Sequence, residues 1–583
     1  MKKDRFEIFA PYNEECFLGI KEYGDIELDS WQLIRMNKDN NGYFYISCND
    51  SRLELKNNQK YEYRFLITPV GKSEETVSIS DPKAYEVHKE DNYNSVIIYE
   101  NNKLKLDDFD WKDTDNKPLP NNNEIIIYEL PPKWSNATIV GNIELGIGTF
   151  EDIKYKIKDH ILEPYGLGIN TIQLLPISES PDTFEWGYGP RHFFAPDPDL
   201  GTPIQLKELI RFCHKHEIRV FLDMVMNHAK NCPLEKIHYN YYFIDINKLE
   251  DRIEAEGRFS FGGRLFKYTY FDHKYNIFPA REFHKKNIQY WINEYHIDGI
   301  RIDSISNIKN WDFIGEITTV VQKKLENKKP YLVIGEDIPP RIDLIRQGRV
   351  QALWNENFKY RIRKAILGRI SREEIYRMIN PLFDGFYDLS QVINYLGSHD
   401  VAGIGNERIM NFLGNNNIFD DEAFKRIKFA FSILMTSVGI PMILAGDEFG
   451  DIHDLSIEHP EKQIDPVNWS RKESQRNKDL FNYVKALIKL RKTNIALKVN
   501  ECNFIYEDFY DNKKLIIYQR GFKNKKVMVI ANFSDQFLPN YYIPNLFTGY
   551  NWKRWTPSGE IYVSPGDFSQ NIYPFEAKIF LIN

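Results

Sequence analysis

The stretch His296-Ile-Asp-Gly-Ile-Arg-Ile-Asp-Ser304 decides how the rest of the chain is read. Its isoleucines at 297, 300 and 302 make it apolar and β-branched, the composition of a short buried strand. Side chains alternate in a strand, so Gly299, Arg301 and Asp303 share one face and Ile300 and Ile302 the other. A guanidinium and a carboxylate on one buried face are costly unless they pair and meet a polar cavity. Taken alone, the pair reads equally as a structural ion pair or as part of a site. Its place at a strand end, with a glycine leaving room beside it, points outward to the neighbouring strands.

Those neighbours are short apolar runs separated by amphipathic segments. They are Ile125-Ile-Ile-Tyr-Glu129, Ile169 to Pro176, Ile218 to His228, Tyr331 to Asp337, Val350 to Asn355, Val392 to Asp400 and Ile440 to Asp447. Helical periodicity fills Gln205 to His216, Arg281 to Tyr295, Asp312 to Leu325, Ala423 to Thr436 and Asn477 to Lys492. Eight strands alternating with helices predict an α/β fold, a parallel (β/α)8 barrel. The alternative, an open doubly wound sheet, lacks a glycine-rich phosphate loop after its first strand.

The barrel is expected over 125–495. About fifty residues, 229–280, separate its third strand from the next helix, and a loop that long reads as a lid or subdomain. Residues 1–105 carry short strands and Asn/Gly/Asp turns, which predicts an N-terminal β-sandwich. Residues 106–124, rich in Asp, Lys, Asn and Pro, read as a linker. The chain returns to β pattern over 496–583, a second sandwich. Trp31 is a candidate exposed aromatic contact, although packing on the barrel is the plainer role. Trp552 and Trp555 read as core or interface residues.

Composition excludes several classes of partner. Net charge is −7 with no basic block, against nucleic-acid binding. No run approaches the length of a membrane span, so no membrane partner is expected. The five cysteines form no CxxC pair and no disulfide framework, and no apolar stretch follows Met1 as in a signal peptide. Together these predict a reducing, cytoplasmic setting.

Chemistry in such a barrel gathers where its strands end. Four strand ends carry unusual polar groups: Asp223-Met-Val-Met-Asn-His228, Arg301-Ile-Asp303, Gly335-Glu336-Asp337 and Ser398-His399-Asp400. Each aspartate alone reads as a helix cap. Capping four times over leaves both histidines unexplained. Several carboxylates without a Ser or Cys nucleophile motif suit acetal cleavage, in which one carboxylate attacks and another, protonated, serves the departing oxygen. Arg301 would keep Asp303 ionised, and desolvation would raise Glu336 into an acid's range. A divalent metal site is the competing reading, but no HxH or HExxH spacing supports it.

With these four segments in hand, the chain resembles the alpha-amylase superfamily, glycoside hydrolase family 13. The segments beginning at Asp223, Gly299, Gly335 and Ser398 are similar to the family's four conserved regions, in order. The resemblance implies a retaining mechanism with Asp303 as nucleophile, Glu336 as acid/base and Asp400 as transition-state stabiliser. It implies that Arg301, His228 and His399 shape the subsite of the cleaved glucose, with Asp223 orienting it. Trp186-Gly-Tyr188 is similar to the family's segment whose Tyr stacks on that sugar, which makes Tyr188 a substrate-binding residue; ordinary loop packing is the alternative.

Two features divide the subgroups. The N-terminal β domain and Ser398 resemble branching enzymes, isoamylase-type enzymes and trehalohydrolases. The separation of 33 positions from Asp303 to Glu336 resembles the shorter spacing of hydrolases. The expected activity is hydrolysis of α-1,4-glucosidic bonds in starch, glycogen or maltooligosaccharides. The alternatives are a branching transglycosylase and a non-catalytic glucan-binding protein. No cofactor and no required metal are expected, because 229–280 offers few convergent Asp residues to complete a calcium site with Asn227.

Overall fold

The computed structural model describes residues 2–582 except 28–29, 72–74, 112–117, 142, 183–184, 326–329, 404–406, 456–462, 545, 548–549 and 564–568. Part of the expected linker, 112–117, therefore lies outside the described residues. Eight parallel strands close into a barrel: β1 (Ile127–Leu130), β2 (Thr171–Leu174), β3 (Arg219–Met224), β4 (Gly299–Ile302), β5 (Leu332–Gly335), β6 (Ala352–Trp354), β7 (Val392–Tyr395) and β8 (Ile440–Leu444). Register runs in step around the ring, with Asp223 opposite Arg301 and Ile302 opposite Gly335. β1 pairs with β8 and completes the closure.

The two faces of each strand meet different partners. Ile127, Phe221, Ile334, Trp354, Ile393 and Met442 point inward and form one buried cluster. Ile300 and Ile302 point outward into the larger cluster that the helices cover. Gly299 is where the strand must come close to its neighbour. A Cβ there would stand 2.5 Å from the Phe221 ring, so any larger residue forces the barrel wall apart.

The covering helices are α1 (Phe150–Lys156), α2 (Pro203–Lys215), α3 (Pro279–Tyr295), α4 (Trp311–Leu325), α5 (Asp343–Arg346), α6 (Glu356–Ile366), α7 (Asp420–Thr436) and α8 (Gln475–Thr493). Their starts are written locally. Thr202 caps α2 through the backbone N–H of Gln205, whose side chain returns the bond, and Pro203 occupies the first turn. Thr149 and Asp152 do the same for α1.

Antiparallel sheets flank the barrel at both ends of the chain. Before it, one sheet has Cys16–Glu22, Gln59–Ile67 and Asn94–Glu100 at its centre, and a three-stranded sheet contains Arg5–Phe9 and Tyr43–Ser47. After it, Leu515–Phe522, Lys525–Asn532 and Ala577–Ile582 lie together in a six-stranded sheet. Trp552 is buried in that second domain, and Trp555 packs against Tyr483 of α8.

Residues 229–280 form two helices, Leu234–Tyr242 and Leu249–Ala255, and a short hairpin in which His228–Ala229 pairs with Arg264–Leu265. The N-terminal sheets rest on this segment. Phe9 packs on Tyr275, and the Tyr12 hydroxyl lies 3.1 Å from both Asp272 oxygens. Among the described residues no helix is long and apolar enough to cross a membrane.

Candidate active site

The strand ends converge on one guanidinium. Arg301 is fully buried. Its Nη1 donates to both oxygens of Asp223, at 2.8 and 2.6 Å, and to Asp303 Oδ1 at 3.0 Å. Its Nη2 lies 2.7 Å from Glu336 Oε2. The Trp354 ring, from the end of β6, closes over it with its centroid 4.5 Å away. One cation therefore ties together the ends of β3, β4 and β5. The in-register pairing of these strands makes this possible.

Asp303 follows β4 directly. Its backbone N–H continues the ladder to Met224 O at 3.1 Å, and its Oδ2 lies 3.4 Å from the Asn227 amide nitrogen. Glu336 follows β5, and its Oε2 accepts from the Ser304 backbone N–H at 2.8 Å. Ser304 holds a left-handed backbone (φ 39°) that turns this N–H toward the carboxylate. Burial pushes Asp303 well above the usual carboxylate range; Arg301 opposes this, while Glu336, Asp223 and Asp400 reinforce it. Glu336 is raised by the same burial, against Arg301 and with Asp400. The expectation that Arg301 by itself holds Asp303 ionised is thus corrected. Its fork is shared among three carboxylates, and burial raises both Asp303 and Glu336 against it.

His399 anchors the opposite side. Its Nδ1 lies 2.8 Å from Glu129 Oε1, and its backbone N–H donates to Glu129 Oε2 at 3.1 Å. Its Nε2 lies 2.7 Å from the Tyr188 hydroxyl and 3.3 Å from Asp400 Oδ1. Tyr188 donates to Asp223 Oδ2 at 2.7 Å and accepts from Arg301 at 3.3 Å. Tyr188 has one proton and gives it to Asp223, so both ring nitrogens of His399 must carry hydrogens. Burial disfavours that imidazolium, but Asp400 and Glu129 outweigh it and raise His399 to about 9. The Tyr188 ring lies parallel to the imidazole, centroids 5.4 Å apart, and Trp186 meets it edge-on at 5.1 Å.

His228 is the neutral histidine. Burial lowers it to about 4, and its Nδ1 contacts Asn227 Oδ1. The Phe261 ring of the inserted segment stands 5.8 Å from it. Asp400 remains about one-third exposed, open to whatever enters the barrel mouth.

All eight residues singled out from sequence lie at this mouth: Tyr188, Asp223, His228, Arg301, Asp303, Glu336, His399 and Asp400. Asp337, the neighbour of Glu336 in the same motif, turns away to Arg341 at 2.7 and 2.9 Å. The sequence assigned no part in the site to Glu129, Ser304 or Trp354, and it marked Asn227 only as a calcium ligand. Glu129 and Trp354 had a signal, since each ends or nearly ends an apolar run that lies in the barrel wall. Asn227 and Ser304 act by backbone and amide geometry, which leaves none.

The groups of Asn227 that a calcium ion would need are engaged by the protein. The side-chain oxygen of Asn227 faces His228, and its amide nitrogen faces Asp303. Its carbonyl accepts from Phe266 N–H at 3.1 Å and from Arg258 at 3.4 Å. Among the described residues one carboxylate–histidine cluster has metal-like spacing, Glu62, His88 and Asp91 in the N-terminal sheet. The Lys21 ammonium already fills it, in contact with Asp91 and 3.6 Å from Glu62.

Comparison with known proteins gives three kinds of likeness. The alpha-amylase family, described as alpha amylase, catalytic domain, matches residues 142–241. A malto-oligosyltrehalose trehalohydrolase of Saccharolobus solfataricus is 24% identical over 546 residues, covering 84% of this chain and 85% of that protein. A 1,4-alpha-glucan branching enzyme of Prochlorococcus marinus is 25% identical over 537 residues, covering 83% of this chain and 68% of that protein. The crystal structure of pullulanase type I from Bacillus subtilis, complexed with maltose, superposes with a TM-score of 0.75 at 20% identity, covering 99% of this chain and 84% of that one.

Proposed function

The chain belongs to the alpha-amylase superfamily and is an enzyme of that family, and from that premise we propose that it is a retaining glycoside hydrolase cleaving α-1,4-glucosidic bonds of starch, glycogen or maltooligosaccharides. The observation that carries this reading is the Arg301 fork, which holds a prospective nucleophile and a prospective acid at one opening.

The chemistry follows from the geometry. The Asp303–Glu336 pair holds a proton that burial favours, and the active form carries it on Glu336. Glu336 gives that proton to the glycosidic oxygen as the bond to the anomeric carbon breaks. Asp303 attacks that carbon and forms a glucosyl ester. Glu336, now a carboxylate, takes a proton from water, and the hydroxide portion displaces Asp303. Asp400 faces the cleft with its charge uncommitted to Arg301, positioned to oppose the positive charge that grows on the ring. The imidazolium of His399 and the neutral imidazole of His228 offer polar contacts of opposite character to sugar hydroxyls.

Branching-type transfer, with a sugar hydroxyl in place of water, is the second reading. Ser398 and the likeness to branching enzymes favour it. Product analysis on amylose separates the two. Hydrolysis raises reducing ends steadily. Transfer leaves them nearly flat while α-1,6 linkages appear and iodine colour falls. No change in either quantity on any α-glucan would overturn both readings.

A further inference from the structure

A cavity of about 290 Å³ lies where the N-terminal sheets meet the inserted segment and the start of α3. It is at the lower end of the ~300–1,000 Å³ range of small-molecule sites. Lys83 enters from the N-terminal domain, Lys274 from the insertion and Lys286 from α3.

Three lysines and three carboxylates line this cavity, yet they do not pair with one another. Its three carboxylates already have partners. Glu7 is held by Arg5 at 2.8 Å, Glu282 contacts Lys285, and Asp81 accepts from the Tyr63 hydroxyl and the Lys83 backbone N–H, both at 2.8 Å. None of the three ammonium groups has a carboxylate within ion-pair distance among the described residues. Lys286 Nζ lies 3.2 Å from the Tyr43 hydroxyl, and the Lys83 and Lys286 ammoniums each stand 5.9 Å from the centre of that ring. Lys274 lies over Tyr275 at 5.0 Å. Burial lowers Lys83 to about 7, with Lys286 and Lys3 adding repulsion. The cluster stands out in a chain whose net charge is −7.

We propose that this interdomain cavity binds a phosphorylated sugar, its phosphate held by Lys83 and Lys286 and its hydroxyls and ring by Tyr43, Tyr275 and Asn41. A phosphate dianion offers the unpaired ammonium groups a direct partner, and its oxygens match their donors. The tyrosines and Asn41 supply the apolar face and amide that a neutral sugar ring takes. Lys286 stands on the helix that leads directly into β4, the strand of Arg301. The site is independent of the catalytic reading.

Isothermal titration of the full chain with glucose 6-phosphate, inorganic phosphate and glucose tests this at low salt. Glucose 6-phosphate is expected to bind saturably and more tightly than either other probe. Lys83→Gln and Lys286→Gln should each weaken it at least tenfold, while Asp303→Asn binds it as the unaltered protein does. A phosphorylated maltooligosaccharide distinguishes the source: tighter binding than glucose 6-phosphate assigns the ester to a glucan chain, weaker binding to a free sugar phosphate. The proposal fails if glucose 6-phosphate does not bind, if the double lysine variant binds it equally, or if Asp303→Asn abolishes binding. Equal affinity for inorganic phosphate overturns the sugar assignment.

Discussion

Glu129, at the end of β1, holds His399, 270 positions later, through both carboxylate oxygens. With Asp400 this contact makes His399 a cation, and its removal is the first prediction. His399 is raised to about 9 from an ordinary value near 6.5. Its interactions therefore contribute fully below about pH 6.5 and are lost as pH rises through about 9. Glu129→Gln keeps the shape and removes the charge. The alkaline limb of kcat/KM should move to lower pH, and the fall in thermal midpoint between about pH 7 and 9 should flatten. An unmoved limb would show that Glu129 does not set the charge of His399.

Asp303→Asn should lower kcat by roughly 10⁴-fold or more, as loss of a nucleophile does. Stability has the opposite sign. The folded protein raises this carboxylate, so ionising it at neutral pH costs stability that the unfolded chain does not pay. The thermal midpoint at pH 7 should hold or rise. A lower midpoint with near-normal turnover would return Asp303 to the role of a structural ion-pair partner.

Glu336→Gln should lower kcat by about 10²–10⁴-fold on natural glucans, the range for a lost acid/base group. On an aryl glucoside whose leaving group needs no proton, the first step should be largely spared. Equal losses on both substrates would argue that Glu336 only holds Arg301 in place.

Gly403→Ala tests the aromatic wall of the site. A Cβ at this position would stand 1.9 Å from Trp186 Cη2, and Trp186 packs edge-on against His399. Displacing the indole tilts His399 and Tyr188, and a small misplacement costs as much as ~10²-fold in kcat/KM. The circular dichroism spectrum should remain that of the parent. Unchanged kinetics would mean that Trp186 moves without consequence for the site.

Prolonged dialysis against a chelator should leave activity and thermal midpoint unchanged. The oxygens of Asn227 are all engaged by protein groups, and Lys21 neutralises the Glu62–His88–Asp91 cluster. Loss of activity restored by calcium would refute this.

The barrel was legible because its strands and helices are written in local periodicity. Ile300 and Ile302 must face the helices if Gly299 and Arg301 face inward, and the two buried clusters divide that way. The strand-end motifs were legible for a similar reason. A charged residue closing an apolar run is costly in any fold that does not give it a partner, so Arg301, Asp303, Glu336 and His399 mark themselves.

What the chain order alone determined is which residues end the strands and hence which groups meet at the barrel mouth. What only the tertiary structure decided is how their charges are shared. Arg301 reads beside Asp303 as a private partner, yet it lies against Asp223 and Glu336 as well, because parallel strands in register bring three separate ends to one guanidinium. The protonation of His399 depends on Glu129 and Asp400 together, one distant in sequence and one adjacent. Pairing through space sets electrostatics at these distances, and sequence spacing records only the contacts that lie within a strand or a turn of helix.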